Sequence, residues 1–199
     1  MNLRQPCIAF LLMVVSVLAT SSVALAEDSC DKLMGLTVSG AKIIFAQTVA
    51  AGTFAGPPSA FTGRDLTAFY KHVPAFCRVV TIAIPTTDSE IRVEVWMPSS
   101  GWNGKLQGIG NGGFAGVIDY MQLGVVVTKG YAATATDTGH GGTPVDAGWA
   151  LGHSEKVIDF GHRGIHEMTR VAKELLRAFY GKNVQHAYLP AAPTVAARR

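Results

Sequence analysis

Charge is scarce in this chain. Charged residues make up 16% of its 199 residues, and the formal net charge is only +3. Lys and Arg are scattered with no basic stripe, which excludes nucleic acid as a partner. No internal repeat is present, and beyond the N-terminus no apolar run is long enough to span a bilayer. A complete H-E-x-x-H site is also lacking. In His166-Glu-Met-Thr-Arg170 an arginine stands where the second histidine ligand belongs. His162 and His166 lie four apart on one helix face, and His140 and His153 sit in loops without ligand spacing. A structural or surface role is expected for these histidines, and no metal. What the chain does have is 48% hydrophobic residues, too many for a disordered polymer. Its length fits one domain or part of one.

Residues 1–26 read as a signal peptide. Arg4 supplies the positive start, residues 8–18 an apolar core, and Ala24-Leu-Ala26 a small-x-small cleavage site before Glu27. The apolar run is shorter than the ~20 residues of a membrane anchor. Export to the periplasm or the extracellular space is therefore expected, with no membrane association after cleavage. Cys7 leaves with this segment. Cys30 and Cys77 remain, an even pair in an oxidising compartment, and a disulfide between them is expected; two separate thiols are the alternative.

Residues 27–77 are expected to form a loop-rich lead with one strand and a short helix at 66–70. Regular structure begins at residue 78. Residues 79–84 (Val-Val-Thr-Ile-Ala-Ile) are rich in β-branched side chains, and residues 85–89 carry turn chemistry. Residues 91–96 (Ile-Arg-Val-Glu-Val-Trp) alternate apolar and charged. These two runs predict an antiparallel hairpin, followed by a third strand at 105–110 in the same sheet. A helix is expected around 117–123, a strand at 131–136, and a polar glycine-rich loop at 137–148. The spacing of Val157, Phe160, Gly164, Met168, Val171, Leu175, Leu176 and Phe179 predicts one long helix over 156–180, stopped by Gly181. Residues 186–189 are the next strand. The fold class is α/β, a mostly parallel sheet opened by an antiparallel hairpin.

Two functions compete for Gly108-Ile-Gly-Asn-Gly-Gly113. The run fits G-x-G-x-x-G after a strand, and Asp137 follows 24 residues on, loosely a dinucleotide-binding pattern. Such a fingerprint usually opens its domain, however, and here a hairpin precedes it. The same glycines leaving a sheet could expose backbone N–H groups to a developing oxyanion, with Gly112 and Gly113 as donors. A plain tight turn is the third reading. The dinucleotide reading requires Gly113 to start a long helix, and the oxyanion reading requires a loop. A non-enzymatic secreted binding module is a further alternative.

Taken together, residues 108–116 (GIGNGGFAG), 130–140 (GYAATATDTGH) and 158–169 (IDFGHRGIHEMT), with Cys30, Cys77 and the Ala187-Tyr-Leu189 strand, resemble the tannase and feruloyl esterase family. The resemblance reaches from the mature N-terminus to Leu189. It departs mildly at His162-Arg-Gly164, where Tyr-Arg-Ala is more usual. It implies an exported α/β-hydrolase with a large lid, acting without a cofactor on small aromatic esters such as gallates and ferulates. The implied machinery is a serine nucleophile, a histidine base and an aspartate.

In the family that serine stands in Gly-Cys-Ser-x-Gly-Gly-Arg-(Glu/Gln)-Ala, directly after the strand matched by Leu189. Here residues 190–199 read Pro-Ala-Ala-Pro-Thr-Val-Ala-Ala-Arg-Arg, with no serine. Serine, aspartate and histidine are expected downstream of Leu189, none of them among these 199 residues, and the 199-residue chain is expected to be inactive. The genetic code suggests why. When each codon's third base opens the next codon, these ten residues permit Gly-Cys-Ser-(Asn/Asp)-Gly-Gly-Arg-(Glu/Gln)-Ala in order. The expected domain plan is thus a signal peptide at 1–26, a lead at 27–77, a partial hydrolase domain at 78–189, and a frame-shifted tail at 190–199.

Overall fold

The computed structural model describes residues 30–190. Residues 1–29, with the expected signal peptide, and all but the first residue of the 190–199 tail lie outside the described residues. Six strands form one sheet in the order β1-β2-β3-β5-β4-β6. They are β1 (Ala41–Val49), β2 (Phe76–Ala83), β3 (Ile91–Pro98), β4 (Lys105–Ile109), β5 (Ala132–Thr136) and β6 (His186–Tyr188). The β2–β3 hairpin pairs antiparallel from Phe76 opposite Pro98 to Ala83 opposite Ile91, as the alternation predicted. β1 adds an antiparallel edge strand on β2, and β3 pairs antiparallel with β5. The parallel part of the sheet is β5-β4-β6. The α/β class holds, and the described sheet is mixed, with three antiparallel pairings and two parallel ones.

Alternation along the strands builds two cores. Val79, Ile91, Val93, Val95 and Met97 point to one face, against Met168, Val171, Leu175 and Leu176. Those four belong to α4 (Gly164–Tyr180). Phe76, Trp96, Ala133 and Ala135 point to the other face, against Leu123, Val126 and Val127 of α2 (Tyr120–Thr128). On that side Phe76 and Trp96 stack at 4.1 Å, and Phe54 packs edge-on against Trp96 and Tyr70. Tyr70 ends α1 (Thr67–Tyr70), the short helix expected there.

The expected disulfide is present. Cys30 and Cys77 are bonded with Cα atoms 5.5 Å apart, and both are fully buried. It ties the first described turn to β2.

The long helix departs from expectation. It begins as α3 (Ser154–Ile158), passes through a π turn at Asp159–Arg163, and resumes as α4. A π turn carries more residues than an α turn, so the buried stripe is out of step on its two sides. Val157, expected in the core, is 48% exposed, while Asp159 is fully buried. Gly181 ends the helix as expected, in the left-handed conformation, with its N–H bonded to the Arg177 carbonyl at 2.9 Å.

Candidate active site

The chain leaves β4 for β5 through α2 on one face and leaves β5 for β6 through α4 on the other. In such sheets the crevice at the carboxyl ends of the strands, where the winding reverses, is the usual ligand position. A cavity of about 280 Å³ lies there. Gly110 and Asn111 reach it from the end of β4, Thr138 from the loop after β5, Phe160 and Ile165 from the π turn and α4, and Leu189 with Pro190 from the end of β6.

Backbone proximity knits the loops around it. A Cβ on Gly116 would run into the His140 carbonyl, and one on Gly164 would stand 2.9 Å from the Thr138 Cα. Only glycine lets these segments approach so closely. The three segments quoted from the sequence (108–116, 130–140 and 158–169) thus meet in one place. Asn111 Nδ2 donates to the Thr136 carbonyl at 3.0 Å, tying the glycine loop to the end of β5. Thr138 holds the left-handed conformation at φ 56°, a sparsely populated region for threonine.

Gly112 and Gly113 sit in a turn, not at a helix start. The Phe114 N–H bonds the Pro144 carbonyl at 2.9 Å and the Ala115 N–H the Gly112 carbonyl at 3.2 Å. Among the described residues, no backbone bond uses the N–H of Gly112 or Gly113. The next helix begins only at Tyr120, capped by the Asp119 carboxylate on the Gln122 N–H at 3.1 Å. A helix N-terminus to hold a pyrophosphate is therefore missing from the glycine run Gly108, Gly110 and Gly113.

Buried charge supports the loops from behind. Asp137 Oδ1 accepts the N–H groups of Arg92 and Gly139, both at 3.0 Å. Burial outweighs those two amides and pushes the carboxyl up to about 6. Asp159 accepts from Ser89 Oγ at 2.5 Å, tying the β2–β3 turn to the π turn. Arg163 Nε lies 2.7 Å from Asp159 Oδ1, an ion pair whose N–H is not aimed at the oxygen, so neither atom makes a hydrogen bond. Further along the sheet, the fully buried Glu94 accepts both Arg78 Nε and the Trp96 indole N–H on Oε1.

The histidines differ in their surroundings. His140 is buried, stacked on Trp149 at 3.8 Å, with Nε2 3.0 Å from the Phe114 carbonyl. A carbonyl only accepts, so this nitrogen carries the proton. His153 pairs with Asp88 at 2.9 Å, and His162 and His166 are exposed. Among the described residues, no group of three His, Cys, Asp or Glu side chains could hold a metal ion. Nor is any described helix long and apolar enough to cross a membrane.

Sequence reasoning missed Asp159, whose single cue was a carboxylate inside an apolar helix face. It also missed the left-handed Thr138 and the pairing of Arg78 with the buried Glu94. The last is visible only as opposed charges on neighbouring strands once the hairpin register is known.

A family model described as tannase and feruloyl esterase matches residues 77–193. The chain belongs to that family. An uncharacterized esterase of Xanthomonas campestris is 37% identical over 170 residues, which is 85% of this chain and 28% of that protein. A probable feruloyl esterase B-1 of Aspergillus terreus is 37% identical over 112 residues, 56% of this chain and 21% of the other. Among solved structures, feruloyl esterase B from Aspergillus oryzae superposes with a TM-score of 0.71 at 25% identity, over 82% of this chain and 31% of that one. The tannin acyl hydrolase of Aspergillus niger shares the fold, with a TM-score of 0.55 at 20% identity. The chain spans less than a third of the length of these relatives.

Proposed function

We propose that this segment supplies the oxyanion side of a serine ester-hydrolase site. The N–H groups of Gly112 and Gly113 are the donors, and the nucleophilic serine stands on the turn after β6. One observation carries the reading. The glycine loop, whose Gly112 and Gly113 amides make no backbone bond, reaches through Gly110 and Asn111 the same cavity that Leu189 lines at the exit of β6. A serine on that exit would attack an ester carbonyl from one side while the amides receive the developing oxyanion from the other. The alcohol leaves as the acyl-enzyme forms, and water then releases the acid. The substrates are small esters of aromatic acids, in keeping with the feruloyl esterases and tannin acyl hydrolase to which the chain is similar.

The protein is exported through residues 1–26, and its disulfide suits an oxidising compartment. Residues 190–199 are read in a frame displaced by one base from the one that encodes the nucleophile.

The test is to read the DNA across codons 185–199 and beyond, and to express the displaced frame. The reading expects Gly-Cys-Ser after codon 189, a frame open for a few hundred codons, and hydrolysis of methyl ferulate or methyl gallate blocked by serine-directed inhibitors. A displaced frame without that motif sinks the frame reading. Robust hydrolysis by the 199-residue polypeptide itself would place the nucleophile elsewhere.

A further inference from the structure

The cavity between the glycine loop and the end of β6 is lined by no charged side chain, and its apolar surface comes from Phe160, Ile165, Leu189 and Pro190. Leu189 and Pro190 line it from the strand exit, and Phe160 and Ile165 from the π turn and the first turn of α4. The π turn has two outputs. Asp159 is buried under Ser89 and the Gly139 turn, and Phe160, the next residue, lines the cavity.

Phe160 is held by other rings, not by solvent. Its ring centroid lies 5.5 Å from His140 in an edge contact, 5.2 Å from Trp149 and 6.1 Å from Phe114. His140 and Trp149 are themselves stacked, and His140 is bonded to the Phe114 carbonyl. A ring fixed in this way is a pre-organised surface, and it loses little side-chain entropy when a ligand packs on it. The size is apt as well. An apolar cavity of about 150 Å³ accepts benzene, so one of about 280 Å³ takes a single ring together with its ester carbonyl.

We infer that Phe160 is a specificity-determining residue of the acyl side, an aromatic wall on which the neutral ring of the substrate's acid lies while its carbonyl faces the glycine loop. Ile165 closes the wall one turn on. The wall favours a flat aromatic acyl group over a saturated ring of the same size, because aromatic pairs gain attraction beyond their buried area. The inference rests on the ester-hydrolase reading for the orientation of the ligand. It rests on Phe160 and the cavity for the ligand's chemistry.

The test is binding, read on the 199-residue chain by amide chemical shifts. The probes are methyl benzoate and methyl cyclohexanecarboxylate, neutral esters differing only in the ring. Methyl benzoate is expected to move the amides of Asn111 and Thr138 and to bind about two- to twelvefold tighter than the saturated ester. Phe160→Leu is expected to bring that ratio close to one, while Phe160→Tyr retains it. Should Phe160→Leu fail to fold, nuclear Overhauser contacts between the ester's ring protons and Phe160 in the unaltered chain decide the matter alone. A ratio unchanged in Phe160→Leu, shifts clustered away from the cavity, or no binding by either ester overturns the inference. Hydrolysis is not read here. A chain that binds methyl benzoate on Phe160, in a protein whose displaced frame cleaves no ester, would end the hydrolase reading and leave the wall standing.

Discussion

Replacing Asp137 by Asn should stabilise the protein at neutral pH and do so less as the pH falls. One oxygen of Asp137 accepts both the Arg92 and the Gly139 N–H groups. An Asn amide oxygen in the same place keeps both bonds, so the substitution removes charge and little else. Burial raises the Asp137 carboxyl from 3.8 to about 6, against the pull of those two amides and of the Arg92 and His140 charges. The folded protein thus holds this proton more tightly than the unfolded chain does. Between about pH 4 and pH 6 the unfolded chain ionises first, and above pH 6 the full penalty of a buried charge is present. At ~1.4 kcal/mol per pK unit, a rise of this size is about 2–3 kcal/mol of stability lost between pH 4 and pH 7. Urea unfolding of Asp137→Asn and the unaltered chain at several pH values measures it. Their difference in unfolding free energy should grow by about 2–3 kcal/mol from pH 4 to pH 7, in favour of Asn. A flat difference, or one that moves toward Asp as the pH rises, would refute the reasoning.

Cys30→Ser should destabilise by about 4 kcal/mol, as expected for a bond closing a loop across a separation of 47 residues. Equal melting of oxidised and reduced protein would contradict this. Glu94→Ala should cost about 3–5 kcal/mol, because it leaves the Arg78 charge and the Trp96 indole N–H without their partner; Arg78→Met with Glu94→Leu should recover much of that loss. Gly116→Ala should part the glycine loop from the His140 carbonyl. Faster amide exchange at 114–116 and 140–142, with β2 and β3 unaffected, is the expected signature.

The strands of this fold are written in a period of two. The alternation of Ile91, Val93 and Val95 with Arg92 and Glu94 sets both the hairpin and its register. The disulfide followed from compartment and count. The glycine loop was legible as chemistry but not as geometry. Glycines report that backbone will come close, not to what, and only the fold brings Gly116 to His140 and Gly164 to Thr138. The helix was legible in its second half alone. A hydrophobic period assumes 3.6 residues per turn throughout, and the π turn at Asp159–Arg163 breaks that assumption where the chain turns Asp159 into the core. Thr138 gave no signal, since its left-handed backbone is imposed by packing and not by propensity.

The most direct measurement is the turnover of methyl ferulate or methyl gallate by the protein read from the displaced frame, with and without Gly112→Pro. A Cβ at Gly112 meets nothing within 4 Å, and proline removes the N–H. If these amides stabilise the oxyanion, kcat should fall about 10²–10³-fold with KM and melting temperature nearly unchanged. A kcat that survives the substitution would contradict the assignment of this loop.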